Sequence, residues 1–190
     1  SEKNMDKVVV KSKYKPQFHK KFYYFHMFRK GATVYFYLLA GAFALYLAIQ
    51  NTLDDAATVT NLMISWSFAV LIFLMIPVFL FGRVFQIVKQ IKKERGESLE
   101  ILEFTKAKIV RIIEGQENKV VLGWENFESA YEMKDCFFFY IDKEHGLVIV
   151  KDDITEGGVE LFRKLINQNF PKNKKGQPNF RKMYKEKSHD

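Results

Sequence analysis

Chemistry requires reactive groups at workable spacings, and this 190-residue chain offers few of them. Its single cysteine, Cys136, opens the run Cys-Phe-Phe-Phe-Tyr-Ile, with no basic residue in that run to lower its pKa. It reads as a small buried apolar side chain and not as a nucleophile. His19 and His26 share a helix face at i, i+7, which separates them by about 10 Å, too far for one metal ion. His145 falls in the turn Asp142–Gly146 and reads as solvated. Gly157 and Gly158 open a helix and could turn free N–H groups toward an anion, but Asp152 and Asp153 beside them oppose a phosphate. The sequence contains no G-x-S-x-G, P-loop, Rossmann glycine fingerprint or H-E-x-x-H. What remains is the acidic set Glu125, Glu128, Glu132 and Asp135. It is read either as a docking face for a basic partner or as the solvated side of a sheet. No enzyme, metal or cofactor is expected.

The elements that must carry these residues emerge from how charge is sorted. Lys plus Arg number 30 against 22 acids, net +8, which as an average invites a nucleic-acid partner. The average misleads. Residues 1–30 are net +7 and residues 31–81 hold no basic residue at all. Residues 82–96 are net +4, residues 97–170 net −6 and residues 171–190 net +5. Two apolar runs occupy this stretch, at 31–49 and 59–81. A hydrocarbon core about 30 Å thick takes roughly 20 helical residues, so each run is long enough to cross it. Asp54 and Asp55 lie between the runs and lysines flank both. The positive-inside bias therefore predicts two spans with both termini in the cytoplasm. Lys20, Lys21, Arg29 and Lys30 before the hairpin, and Arg83, Lys89, Lys92 and Lys93 after it, are expected against anionic headgroups.

Within the hairpin, Ala40, Ala44 and Ala48 recur every fourth residue with Gly41 beside them. That surface admits a neighbouring helix closely, either the second span or another copy. Pro77 is expected to kink the second span, and Asn61, Ser65 and Ser67 to bond across to the first. Around the hairpin, 1–30 reads as a short strand at 7–14 and a helix from Pro16. That helix lies either on headgroups or on the domain through its Phe18, Phe22, Phe25 stripe. After the second span the helix continues to Gly96. Strands follow at 99–105, 108–114, 119–124, 127–133, 136–141 and 147–150, and then a helix, capped by Thr155, to about Asn169. Residues 31–95 thus form a transmembrane hairpin, and 97–170 a small cytoplasmic module of antiparallel strands closed by a C-terminal helix. Residues 171–190 read as a basic tail, disordered when free. The fold class is α+β.

The stretch from Trp124 to Phe170 resembles the YcxB-like C-terminal domain family. Trp124 opens a strand, an aromatic strand and an apolar strand follow, and Lys151 stands in the turn before the helix. The family pattern Ile-Pro-Lys-Arg-x-Phe is here Ile149-Val-Lys-Asp-Asp-Ile154, so the lysine is kept while the proline and arginine are not. The resemblance implies a membrane protein whose cytoplasmic module has a PH-like fold. The leading functional expectation is a non-enzymatic, membrane-anchored protein-interaction or regulatory unit, with lipid, a protein partner or a second copy as its contacts and no nucleic acid. Two alternatives are an immunity protein against a membrane-active toxin or bacteriocin, and an accessory subunit of a transport complex packed through the Ala40/Ala44/Ala48 face.

Overall fold

A computed structural model describes residues 6–143 and 145–185, and of Lys30 the backbone only. The expected surface role of the Lys30 side chain and the last five residues of the basic tail lie outside the described residues. The chain divides into two compact units. One joins the chain up to Phe22 with the chain from Lys92 onward, and the other runs Tyr23–Ile91.

The first unit is built on two sheets. Strand β1 (Val8–Ser12) precedes helix α1 (Pro16–Phe25). After the second unit the chain returns through β2 (Glu100–Phe104), β3 (Ile109–Ile113), β4 (Val120–Leu122), β5 (Ser129–Glu132), β6 (Cys136–Tyr140), β7 (Gly146–Val150) and β8 (Ile154–Glu156). Helix α4 (Gly158–Asn169) follows, and strand β9 (Phe180–Lys182) comes last. One sheet has the order β4-β3-β2-β1-β8, with antiparallel neighbours throughout. The other has the order β7-β6-β5-β9, in which only the β5–β9 pair is parallel. Both sheets and α4 share one core. Val8, Val10, Leu102 and Phe104 face Phe137, Phe139 and Ile149, with Phe162, Leu165 and Ile166 of α4 packed among them. Trp124 is buried in this core and its indole N–H donates to the Thr105 carbonyl at 2.9 Å. Its role is packing.

The most consequential departure from expectation concerns β1. It is no separate N-terminal element. It lies between β2 and β8, in register from Val8↔Phe104 to Ser12↔Glu100. Three consecutive valines explain the placement, because β-branched side chains suit a strand covered on both faces, and Val8, Val9 and Val10 are all buried. A module bounded at 97 and 170 would lack this strand and β9. Helix α1 also belongs here in part. Phe22 sits 5.3 Å from Phe138 and 5.0 Å from Tyr140, ring to ring, on the face of β6 opposite the core. The aromatic-stripe reading of α1 therefore describes Phe22.

Thr155 does not cap α4. Its hydroxyl donates to the Val9 carbonyl at 3.3 Å, while Gly157 stands at the N-cap with φ +84°. A Cβ on Gly157 would lie 2.6 Å from the Lys7 carbonyl oxygen. Gly157→Ala is expected to cost about 1–3 kcal/mol from the left-handed backbone, with the steric contact added. Gly176→Ala, also at positive φ but in open space, should cost less. Thermal melts of the two variants check the difference, and equal melting points would exclude a close approach at Gly157.

The second unit contains a π-helical turn (His26–Lys30) and two antiparallel-connected helices, α2 (Thr33–Leu53) and α3 (Val59–Arg95), the latter continuing past Ile91 into the first unit. α3 runs without interruption through Pro77 and ends at Gly96, whose φ is +55°. Ala44 and Ala48 pack with Ala69, and a Cβ on Gly41 would meet Ile76 at 3.3 Å and Phe73 at 3.6 Å. The small-residue face is thus occupied by the chain's own second helix. Ala40 is exposed, because a spacing of seven from Gly41 to Ala48 keeps one side of a helix while a spacing of eight drifts off it. Among the described residues, none of Asn61, Ser65 and Ser67 makes a side-chain hydrogen bond to the first helix. The Trp66 indole N–H donates to the Thr52 hydroxyl at 3.0 Å, whereas the Ser65 hydroxyl donates to Leu62 on its own helix.

Candidate functional site

Strand alternation decides what β5 presents. Ala130 faces the core, and Glu132, two residues on, faces the same way. A buried carboxylate needs partners, and three side chains from separate elements supply them. The Lys151 ammonium, in the turn after β7, donates at 2.6 Å. Arg163 of α4 donates through Nη2 at 2.7 Å and Nε at 3.1 Å. The Tyr184 hydroxyl, beyond β9, donates at 2.8 Å, while accepting from Lys151 at 3.0 Å and from Arg163 at 2.9 Å. The Lys151 ammonium also lies 5.1 Å from the Phe137 ring centroid and 4.7 Å from that of Tyr184. Arg163 makes a further pair with Glu160.

Burial by itself would raise the Glu132 carboxyl. The hydrogen bonds from Arg163, Lys151 and Tyr184 reverse this and hold it down at about 2. A carboxyl whose pKa falls on folding binds its proton more readily in the unfolded chain. Its stabilisation is therefore present above about pH 4.5 and is lost as the pH drops toward 2, on the order of 3 kcal/mol in all. Glu132→Gln should flatten this acid limb. Denaturation midpoints measured between pH 5 and 2 check it, and an unchanged slope would remove Glu132 as its source.

A second buried carboxylate, Glu100, lies on the inward face of β2 and pairs with both Arg95 and Arg111. Among the described residues no group of three or more His, Cys, Asp or Glu side chains is placed to hold a metal. His19 Nδ1–H donates to the Lys15 carbonyl (3.2 Å) and the ring packs 4.6 Å from Tyr14, with burial lowering its pKa. Cys136 is buried, and burial pushes its thiol up to about 12, so it is inert as a nucleophile.

The acidic set does not form one face. Glu125 and Glu128 are exposed, Glu132 is inside, and Asp135 is paired with Lys21. The same pair withdraws Lys21 from the expected membrane-facing basic residues. Lys20, Arg29, Arg83, Lys89, Lys92 and Lys93 remain exposed. Lys151 is the carboxylate's partner. Arg163 and Tyr184 are not among the residues that the sequence singles out. Arg163 had one signal, since it follows the buried Phe162 on the helix. Tyr184 had none, because the segment around it is too polar to announce a strand.

Residues 104–166 match the family model described as YcxB-like protein, a stretch that includes Trp124, Glu132, Lys151 and Arg163 and stops short of Tyr184. No curated protein and no solved structure matches the chain.

Proposed function

We propose, for a chain whose residues 104–166 match the YcxB-like family model, an integral membrane protein of the bacterial cell, with two spans and both termini cytoplasmic. Its discontinuous β-rich domain serves as a protein-interaction or regulatory unit and not as an enzyme. The observation that carries the first part is the outward surface of α2 and α3. Phe36, Leu39 and Leu74 are 70%, 69% and 63% exposed, and bulky apolar side chains continue around both helices. Apolar surface on that scale is tolerated only in lipid or under a partner.

The strands flanking the helix pair support an even number of crossings. β1 and β2 are neighbours in one sheet, so both ends of the pair return to one side, as two crossings require. The acidic Asp54-Asp55 turn and the basic flanks favour the cytoplasm for that side. Two sheets closed by a C-terminal helix are what a PH-like module would present. An interaction role is supported by the exposed Glu125 and Glu128 on a domain whose segment 97–170 is net −6, and by a buried, unreactive Cys136.

In a Cys136→Ala background, Asp54→Cys is expected to react with a membrane-impermeant maleimide on intact cells. Lys174→Cys should react only after lysis. The reverse pattern, or recovery of the protein in the soluble fraction, overturns the topology. For the interaction role, a photocrosslinker at Glu128 should capture a basic protein partner in cells, and capture of lipid alone would count against it.

A further inference from the structure

The apolar surface of the helix pair extends further than the apolar runs of the sequence. Beyond Phe81 on α3, Phe85 is 59% exposed, and Phe28, in the turn before α2, is 50% exposed. Phe81, Phe85 and Lys89 follow one another at intervals of four residues and so line one side of α3. Along that line the change from apolar to basic falls between Phe85 and Lys89, past the end of the run at Phe81. Arg83 lies between the two phenylalanines along the axis, within the aromatic band and not beyond it. Two ring contacts bring Arg29 to the same end of the pair. Tyr37 stacks on Phe79 at 6.3 Å and Tyr24 meets Phe81 at 5.7 Å, and Arg29 lies between Tyr24 and Tyr37 in the chain.

The charges at this end have no counterpart in their own unit. Within Tyr23–Ile91 the only acids are Asp54 and Asp55, in the turn at the opposite end of the helices. Among the described residues, Arg29, Arg83 and Lys89 make no ion pair, whereas Arg95, Arg111 and Arg163 each hold a carboxylate. All three unpaired cations are exposed. A guanidinium beside exposed phenylalanines loses hydration when that surface is covered, and then needs an anion. A phosphodiester supplies one in a geometry that a guanidinium binds bidentately. The same molecule must also cover Phe28 and Phe85, which a free phosphate cannot do. A zwitterionic headgroup brings its own cation and leaves the arginine charge unmatched. An anionic phospholipid meets all three requirements.

We infer that Arg29 and Arg83 form a headgroup site selective for anionic phospholipid, with Phe28 and Phe85 against its acyl chains. This rests on the membrane reading above and adds to it the chemical class of lipid held at that end of the pair.

Selectivity is the test. The full-length protein is reconstituted in nanodiscs of phosphatidylcholine alone and in nanodiscs with an equal part of phosphatidylglycerol. Native mass spectrometry then identifies the lipid retained from the mixed discs. The parent is expected to retain phosphatidylglycerol over phosphatidylcholine. Arg29→Gln with Arg83→Gln should reduce that preference by about fivefold for each charge removed. Lys106→Gln with Lys108→Gln, exposed positions on the first unit, should leave it unchanged. Both arginines are exposed, so the glutamine pair should melt with the parent in phosphatidylcholine discs, where no anionic lipid is offered. Excess inorganic phosphate should not displace the lipid, because it cannot replace the acyl contacts. Equal retention of the two lipids by the parent, an unchanged preference in the glutamine pair, or displacement by inorganic phosphate would each overturn the inference. In those three outcomes the protein still enters the discs, so the membrane reading stands. A chain that stays out of phosphatidylcholine discs altogether would overturn that reading and this inference with it.

Discussion

Glu132→Ala is expected to destabilise the β-rich domain by about 3–5 kcal/mol, the cost of leaving buried cations without their counter-charge. The carboxylate is almost wholly enclosed. Its partners Lys151 and Arg163 retain 11% and 19% side-chain exposure, so neither can recover full hydration by a small movement. Glu125→Ala, at an exposed position on the same segment, should fall within about 0.5 kcal/mol of the parent. Denaturant unfolding of the intact protein, followed through buried Trp124, measures both. Equal midpoints would mean that the cluster adds nothing to stability. Replacing the whole cluster is a different matter. Glu132→Leu, Lys151→Met and Arg163→Met together remove the charges along with their desolvation cost, and such a core is often as stable as the ion pair it replaces. The triple variant is therefore expected to melt above Glu132→Ala. Recovery of stability in it would not return the anchor for Tyr184.

The second large effect follows from β1. A fragment beginning at residue 97 contains every other strand of the domain, yet it is expected to remain unfolded. β1 brings three buried valines worth about 1.5–3 kcal/mol each, and its absence leaves β2 and β8 without the strand that joins them. The sum is comparable with the entire stability of a typical domain, about 5–15 kcal/mol. A synthetic peptide of residues 6–22 should restore the fold when added, since it carries both β1 and the Phe22 ring that covers Phe138 and Tyr140. Circular dichroism and a cooperative melt report the outcome. A fragment that melts cooperatively by itself would show that β1 is dispensable.

Much of the architecture was legible because it depends on local pattern. The apolar runs, the helix that ends at Gly96, and seven of the strands follow from periodicity and turn residues within short windows. The pairing of β1 was not legible, since Val8↔Phe104 joins residues that no window contains. The site was partly legible. Ala130 and Glu132 share a strand face, and so do Glu100 and Leu102. An acid in phase with core residues signals a buried ion pair. Grouping Glu128 with Glu132 by proximity of charge obscured that phase. Lys151 was singled out through a family resemblance, and its true partner became visible only once β5, the turn after β7 and α4 were brought together. Tyr184 depends on a tail whose composition points to disorder and which gains order from main-chain bonds to β5, a source that composition does not register.

The insertion of the helix pair between β1 and β2 also sets a timetable for synthesis. Ser12 and Glu100, which end as neighbours, leave the ribosome on the order of ten seconds apart at ordinary elongation rates. During that interval the valine strand has no mate, and the two apolar helices are made before its partner exists. Synthesis of those helices is thus a kinetic checkpoint on the β-rich domain. A nascent chain stalled before residue 100 holds an unsatisfied aggregation-prone strand, and release from that state is governed by elongation before any sheet can close.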